Sequence, residues 1–111
     1  MSITWDNTEF SGPEKITNWN PPFRAALYAI MIRPDPVSKP DTFRIIYFGE
    51  SGNLSERGFY KSHHSYQCWR RQAGTDTGIY IGIHLMPGSS IEQRRVVEQR
   101  LIRKYNPSCN K

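Results

Sequence analysis

The sequence predicts an α+β fold: a small, three-stranded, mostly antiparallel sheet flanked by helices. Three runs rich in β-branched and aromatic residues predict the strands, at 23–33, 43–49 and 78–86. Residues 90–105, SIEQRRVVEQRLIRKY, have the apolar spacing of an amphipathic helix. At 111 residues and a mean hydropathy of −0.66, the chain fits one domain with a modest core.

The first 23 residues are predicted to form an irregular arm that packs on the core. Gly12, Pro13, Pro21 and Pro22 interrupt any regular pattern, while the arm is too apolar for a free tail. We therefore divide the chain into an arm, 1–23, and a globular domain, 24–111. The arm is also the predicted contact surface of a homo-oligomer or another protein partner.

The first two strands are predicted to pair as a hairpin. FRAALYAIMIR, residues 23–33, is followed by PDPVSKPD, whose prolines cannot lie in a central strand. FRIIYFG, residues 43–49, resumes the strand pattern after this short connection.

Helix signals follow the second strand. Asn53 and Glu56 form a pattern like a capping box, and the helix is predicted to continue through residue 72. GIYIGIHLM, residues 78–86, is the third strand, and Ser89 with Glu92 is a second capping-box pattern. Asn106–Pro107 ends the last helix. The predicted order is strand, strand, helix, strand, helix.

Charge is concentrated in the second half of the chain. The net charge is +5, and residues 55–111 hold ten Lys/Arg and four Asp/Glu. This pattern is typical of a protein that binds a polyanion such as nucleic acid, although a solvated basic surface explains the charge about equally well.

The two cysteines, Cys68 and Cys109, are too few for a typical disulfide framework, so we predict reduced thiols and a cytoplasmic protein. The longest apolar run, AALYAIMI, is too short to span a bilayer, so no membrane partner is expected. A metal site built from His63, His64 and Cys68 matches no strong zinc spacing.

Two charged residues each leave two interpretations open. Glu98 lies on a helical stripe with Ile91, Ile102 and Tyr105 that is predicted to face inward. A carboxylate there needs a partner, either an arginine or a metal ion. Arg57, close to a predicted helix start, either contacts a phosphate or is an ordinary exposed side chain.

Taken in order, several short motifs resemble the GIY-YIG nuclease family over residues 25–110. The string GIYIG at 78–82 is not the motif, because one continuous strand cannot supply tyrosines from two adjacent strands. The elements that carry the resemblance are Ala26-Leu27-Tyr28, Tyr47-Phe48-Gly49, Asn53-Leu54-x-x-Arg57, Glu98-x-x-Leu101-Ile102 and Pro107-x-x-Asn110.

The resemblance implies a DNA endonuclease that depends on Mg²⁺ or Mn²⁺. Tyr28 would be the general base for the attacking water, and Tyr47 would contact the same phosphate or water. Arg57 would stabilise charge on the scissile phosphate, and Glu98 would hold the metal ion. Asn110 corresponds to the asparagine that supports the site.

Further residues complete the expected site. Lys61 and His64, on one face of the predicted helix, are candidates for catalysis, and His63 is an alternative to His64. The residues expected to contact nucleic acid are Gly49, Asn53, Arg70, Arg71, Arg94 and Arg95.

Two departures from the family pattern leave a second function open. Ala26 stands where the family has its first glycine, and Glu50 adds an acid next to the expected phosphate site. The alternative is a catalytically inactive module that binds nucleic acid on the same fold.

Overall fold

A computed structural model describes residues 2–54 and 60–110 of the chain. These residues form one five-stranded antiparallel sheet in the order β1-β2-β5-β3-β4, with two α-helices. The strands are β1 (Ser2–Trp5), β2 (Thr8–Lys15), β3 (Ala26–Ile32), β4 (Arg44–Ser51) and β5 (Tyr80–Leu85), and the helices are α1 (Tyr66–Ala73) and α2 (Ile91–Tyr105).

The prediction of a three-stranded sheet is wrong, because much of the supposed arm belongs to the sheet. Asp6 and Asn7 both have positive φ, 48° and 62°, which is the geometry of a two-residue hairpin turn between β1 and β2. Gly12 and Pro13 do not break β2, because the register shifts between Ser11 and Glu14 and accommodates them in a bulge. The first two strands therefore extend the sheet beyond β5.

The other predicted strands and the last helix are confirmed. β3 and β4 pair as an antiparallel hairpin, and β5, which contains most of the GIYIG string, lies between β2 and β3. α2 begins one residue later than expected, with the capping box formed by Ser90 and Gln93 rather than by Ser89 and Glu92. Asn106 ends it in the left-handed conformation.

The prediction of one continuous helix up to residue 72 is wrong. Tyr60–Ser62 is a separate 3-10 turn, residues 63–65 form a bend and turn, and α1 begins only at Tyr66. The predicted helix start at Asn53 runs into residues 55–59, which lie outside the described part of the chain.

The two faces of the sheet pack against different helices. Tyr28, Ile30 and Ile81 contribute to the core cluster that contains Trp69 of α1. The alternate residues of the strands, such as Leu27 and Phe48, contribute to the cluster that contains α2. The α1 face carries the candidate site.

A disulfide joins Cys68 of α1 to Cys109 in the 3-10 turn Ser108–Asn110, so the prediction of reduced thiols is wrong. The fold brings the two Cα atoms to 5.7 Å, within the usual range for a disulfide. The cytoplasmic prediction rested on reduced thiols and loses that support. Among the helices of residues 2–54 and 60–110, none has the length and apolar character that crossing a bilayer requires.

Candidate functional site

Tyr28 and Tyr47 lie side by side on the α1 face, with their ring centroids 6.0 Å apart. The β3–β4 register brings this arrangement about, because Tyr28 pairs with Gly49 and Tyr47 lies two residues from Gly49, on the same face. A bulge follows between Ile30 and Met31, and Ile46, the extra residue, also turns toward α1. The two tyrosines that the motif places on adjacent strands are therefore brought together.

Gly49 is directly opposite Tyr28 in the β3–β4 pairing. A Cβ atom at position 49 would lie 2.3 Å from Cζ and 2.5 Å from the hydroxyl oxygen of Tyr28. The glycine of the Y-x-G motif is thus required by the tyrosine ring that covers it. Gly49 is an expected nucleic-acid contact, and in the structure the group that lies against it is Tyr28 of the same chain.

His63 contacts the hydroxyl of Tyr28, with Nε2 2.8 Å from the Tyr28 oxygen. The other ring nitrogen, Nδ1, accepts a hydrogen bond from the backbone N–H of Ser65 at 3.0 Å. In a neutral imidazole only one nitrogen carries hydrogen, so Nε2 is the donor and the Tyr28 oxygen is the acceptor. The backbone of residue 65 therefore sets both the tautomer and the position of His63.

The structure brings His63, and not His64, to the tyrosines. His64 is exposed and stacks on His63, with centroids 4.4 Å apart. Lys61 is also exposed, and its Nζ lies 6.0 Å from the centre of the Tyr60 ring. The predicted common face of Lys61 and His64 does not exist, because the chain is not helical at residues 63–65.

A small cavity adjoins this cluster. Tyr28, His63 and Trp69 line it, together with apolar side chains and Trp19, and its volume is ≈ 20 Å³. That is about the space that one water molecule needs. The buried Nε1 of Trp69 has no hydrogen-bond partner in the described part of the chain. The cavity is therefore small and mostly apolar, and Tyr28, His63 and Trp69 are among the residues that line it.

The inward stripe of α2 differs from the prediction. Arg94 and Leu101 are the buried residues of the helix, Ile91 is 41% exposed, and Glu98 is half-buried one turn beyond Arg94. Ile102 and Tyr105 of the expected stripe do pack against the core, so the inward face keeps part of that stripe and is shifted from Ile91 toward Arg94. Glu98 lies on the helix that packs against the sheet face opposite to Tyr28.

Arg94 is not on the basic surface where DNA contacts were expected. It is 7% exposed, its Nε lies 3.3 Å from a carboxylate oxygen of Glu50, and it donates to the Ser89 carbonyl at 2.7 Å. The carboxylate of Glu50 is consequently turned to the α2 side and neutralised there. It does not face the two tyrosines.

Asn110 holds the edge of the sheet. Its side-chain carbonyl accepts from the Phe48 N–H at 2.8 Å, and its amide donates to the Phe48 carbonyl at 2.9 Å. Because β4 is an edge strand, these two hydrogen bonds replace those of a missing neighbouring strand. The disulfide at Cys109 fixes the same turn, so the tail supports the strand that carries Tyr47 and Gly49.

The remaining predicted residues are placed as follows. Arg57 lies outside the described residues. Asn53 is half-buried, and its N–H donates to the Ser51 hydroxyl at 3.2 Å. Arg70, Arg71 and Arg95 are exposed, and Arg70 pairs with Asp76 at 3.3 Å.

No group of three or more His, Cys, Asp or Glu side chains that could hold a metal occurs within residues 2–54 and 60–110. A zinc site of His63, His64 and Cys68, whose spacing matches no strong zinc pattern, loses Cys68 as a ligand to the disulfide.

Sequence reasoning missed two features of this cluster. His63 was one of two alternatives, and only the turn at residues 63–65 selects it. The disulfide gave no sequence signal, because a single pair of cysteines does not reveal its own proximity. Comparisons of the chain with protein-family models, curated proteins and solved structures give no match, so the GIY-YIG resemblance stays a prediction from the motifs.

Proposed function

We propose that the protein is a metal-dependent endonuclease that hydrolyses phosphodiester bonds of DNA. The observation that carries this proposal is the hydrogen bond from His63 Nε2 to the hydroxyl oxygen of Tyr28, beside Tyr47 and above Gly49. The hydrogen bond that His63 donates fixes the position of the Tyr28 oxygen. The oxygen keeps a lone pair that can accept a proton from water. This supports the role that the resemblance implies for Tyr28.

The proposed reaction begins with transfer of a proton from water to the Tyr28 phenolate. The resulting hydroxide attacks phosphorus, one bridging P–O bond breaks, and the leaving oxygen takes up a proton from solvent water. Tyr28 then returns its proton to solvent, which restores the phenolate. The N–H donor at Nε2 bonds more strongly to the phenolate than to the neutral hydroxyl and so stabilises the phenolate charge. His63 is therefore a positioning residue in this scheme, and Tyr28 is the catalytic one.

The position of Glu50 removes one objection to activity. An acid beside the phosphate would be unfavourable, but Glu50 is turned to the α2 side and pairs with Arg94 at 3.3 Å. The cluster around Tyr28 therefore does not include this carboxylate. In the proposal, Arg57 stabilises the charge of the phosphate, as the resemblance implies.

Glu98 is the residue that would hold Mg²⁺ or Mn²⁺. Mg²⁺ is commonly bound by one or two carboxylates, with waters and substrate phosphate oxygens as the other ligands, so a single half-buried glutamate fits this chemistry. When bound, the metal ion polarises the phosphate. Glu98 lies on α2, which packs against the sheet face opposite to Tyr28, so the proposal requires the phosphate to lie past the edge of β4, where both residues reach it.

One observation favours the second function, a non-catalytic module that binds nucleic acid. Tyr28 is only 3% exposed, and His63 contacts its hydroxyl. If this arrangement does not open when substrate binds, the hydroxyl cannot reach a phosphate. The basic second half of the chain would still bind nucleic acid.

The test is a cleavage panel of plasmid, flap, junction, single-stranded DNA and RNA with Mg²⁺ or Mn²⁺. We expect wild type to cut DNA and Glu98→Gln to cut none. The matched control is Glu92→Gln, which removes an exposed acid from the first turn of the same helix and should cut normally. Salt-sensitive binding without cutting in either metal would establish the non-catalytic module instead.

Adjacent histidines give a second matched pair. His63→Ala removes the hydrogen bond to Tyr28, whereas His64→Ala removes only an exposed, stacked ring. We expect His63→Ala to lower kcat by up to ~10²-fold through misplacement of the base, with little change in KM. Equal kcat for the two variants would contradict the positioning role of His63.

A further inference from the structure

A polar groove lies at the end of the sheet where β3 ends and β4 begins. It is bordered by the loop between β3 and β4 and by the turn that follows α1, and its volume is ≈ 600 Å³. The polar side chains that line it are Lys15, Arg33, Arg44, Gln72, Thr75 and Thr77.

Three cations in this groove come from three different strands. Lys15 ends β2, Arg33 follows β3 and Arg44 begins β4. The strand register brings the three cations to one end of the sheet. Tyr80 of β5 pairs with Lys15 on one side and with Met31 on the other. Arg44 pairs with Ile32, which directly precedes Arg33. None of the three forms an ion pair with another described residue.

Arg33 is held in place. Its guanidinium carbon lies 5.1 Å from the centre of the Tyr80 ring, and one terminal nitrogen contacts the Pro40 carbonyl at 3.5 Å. Its Nε is buried without a hydrogen-bond partner in the described part of the chain. An arginine stacked on an aromatic ring loses little further freedom when it binds an anion.

The acids of the bordering segments do not neutralise the groove. Asp76 accepts from the hydroxyl of Tyr66, which raises the pKa of that tyrosine, and also pairs with Arg70. Asp35 accepts from the Ser38 N–H within its own loop. Neither acid lines the groove, and no other acid among the described residues lines it either. The groove is therefore positive, with hydroxyl and amide groups between the cations.

We propose that this groove binds a backbone phosphate of DNA outside the candidate catalytic cluster. This inference rests on the proposed function, because the DNA that lies in the groove is the DNA that the catalytic cluster would cleave. Arg33 is five residues beyond Tyr28 along the strand direction, about 17 Å at the rise of a β-strand. That spans about five phosphates of one duplex strand at ~3.4 Å each. The groove thus extends the binding surface without contacting the scissile bond.

The test is binding of a labelled duplex, followed by fluorescence anisotropy in EDTA over a series of salt concentrations. Arg44→Gln removes an exposed groove cation, and Arg103→Gln, on the exposed side of α2, is the control matched in charge. We expect the slope of log K against log salt to fall by ~0.9 in Arg44→Gln and to change less in Arg103→Gln. Lys15→Gln is a second groove variant and should behave like Arg44→Gln.

The outcomes separate the groove from the catalytic proposal. Equal slopes for the groove and control variants, with wild type still binding DNA, would overturn the groove and leave the endonuclease intact. A lower slope in both groove variants, with no cutting in any metal, would support the groove and overturn the endonuclease. Absence of salt-sensitive DNA binding by wild type would overturn both.

Discussion

Replacing Gly49 by alanine should destabilise the protein through one identifiable contact. The new Cβ would lie 2.3 Å from Cζ and 2.7 Å from Cε2 of Tyr28, far inside van der Waals contact. The ring cannot move easily, because it is buried and His63 contacts its hydroxyl at 2.8 Å. Gly52→Ala is the matched control, since its Cβ would approach only the guanidinium end of Arg94, at 3.2 Å, which is a milder contact.

The magnitude follows from three contributions. Overpacking of a core costs about 1–3 kcal/mol. Loss of the Tyr28–His63 hydrogen bond adds about 0.5–1.5 kcal/mol. Alanine restricts the unfolded chain more than glycine does, and this stabilising effect offsets about 0.4–1 kcal/mol of the cost. We expect Gly49→Ala to lower the free energy of unfolding by about 0.5–4 kcal/mol, which is roughly 2–17 °C in Tm for a chain of this length.

Urea denaturation of wild type, Gly49→Ala, Tyr28→Ala and the double variant measures the coupling between the two positions. In the Tyr28→Ala background the added Cβ has no ring to meet, so Gly49→Ala should cost little. The reasoning would be refuted by an equal cost of Gly49→Ala in both backgrounds, or by a cost no larger than that of Gly52→Ala.

Three further predictions concern the supports of the fold. A hydrogen bond from Lys104 lowers the pKa of the Asp6 carboxyl. The stability that Asp6 contributes is therefore present above its unfolded pKa of about 3.9 and is lost as the pH falls through the lower pKa of the folded state. The Tm difference between wild type and Asp6→Asn should shrink from pH 7 to pH 2.5, and a constant difference would contradict this. The disulfide joins residues with a sequence separation of 41. The double variant Cys68→Ser/Cys109→Ser should therefore lower the free energy of unfolding by about 2–4 kcal/mol. In thermal melts, a reductant should lower the Tm of wild type and leave the Tm of the variant unchanged. Asn110→Ala removes two hydrogen bonds to the β4 backbone and should lower the free energy of unfolding, measured with urea, by about 1–3 kcal/mol. If Asn110→Gln were as stable as wild type, the length of the asparagine side chain would not matter, which would contradict this account.

The errors in the sequence-based prediction have physical causes. Gly12 and Pro13 are strong breakers in isolation, but a bulge opposite β5 accommodates them, and pairing with a distant strand outweighs the local signal. The Asp6–Asn7 turn lacks the glycine that marks most two-residue hairpin turns, so local sequence signals scarcely predict it. For α2, apolar periodicity located the helix correctly but could not fix its rotation, because Arg94 is buried through pairing with Glu50.

By itself, the sequence determined the local elements: the β3–β4 hairpin, the strand at GIYIG and the limits of α2. Each depends on residues close in the chain, where spacing and turn chemistry dominate. Only the tertiary structure decided which histidine contacts Tyr28, that Cys68 bonds to Cys109, and that Asn110 supports Phe48. These contacts join residues separated by 35, 41 and 62 positions, so the packing of the whole sheet brings them together.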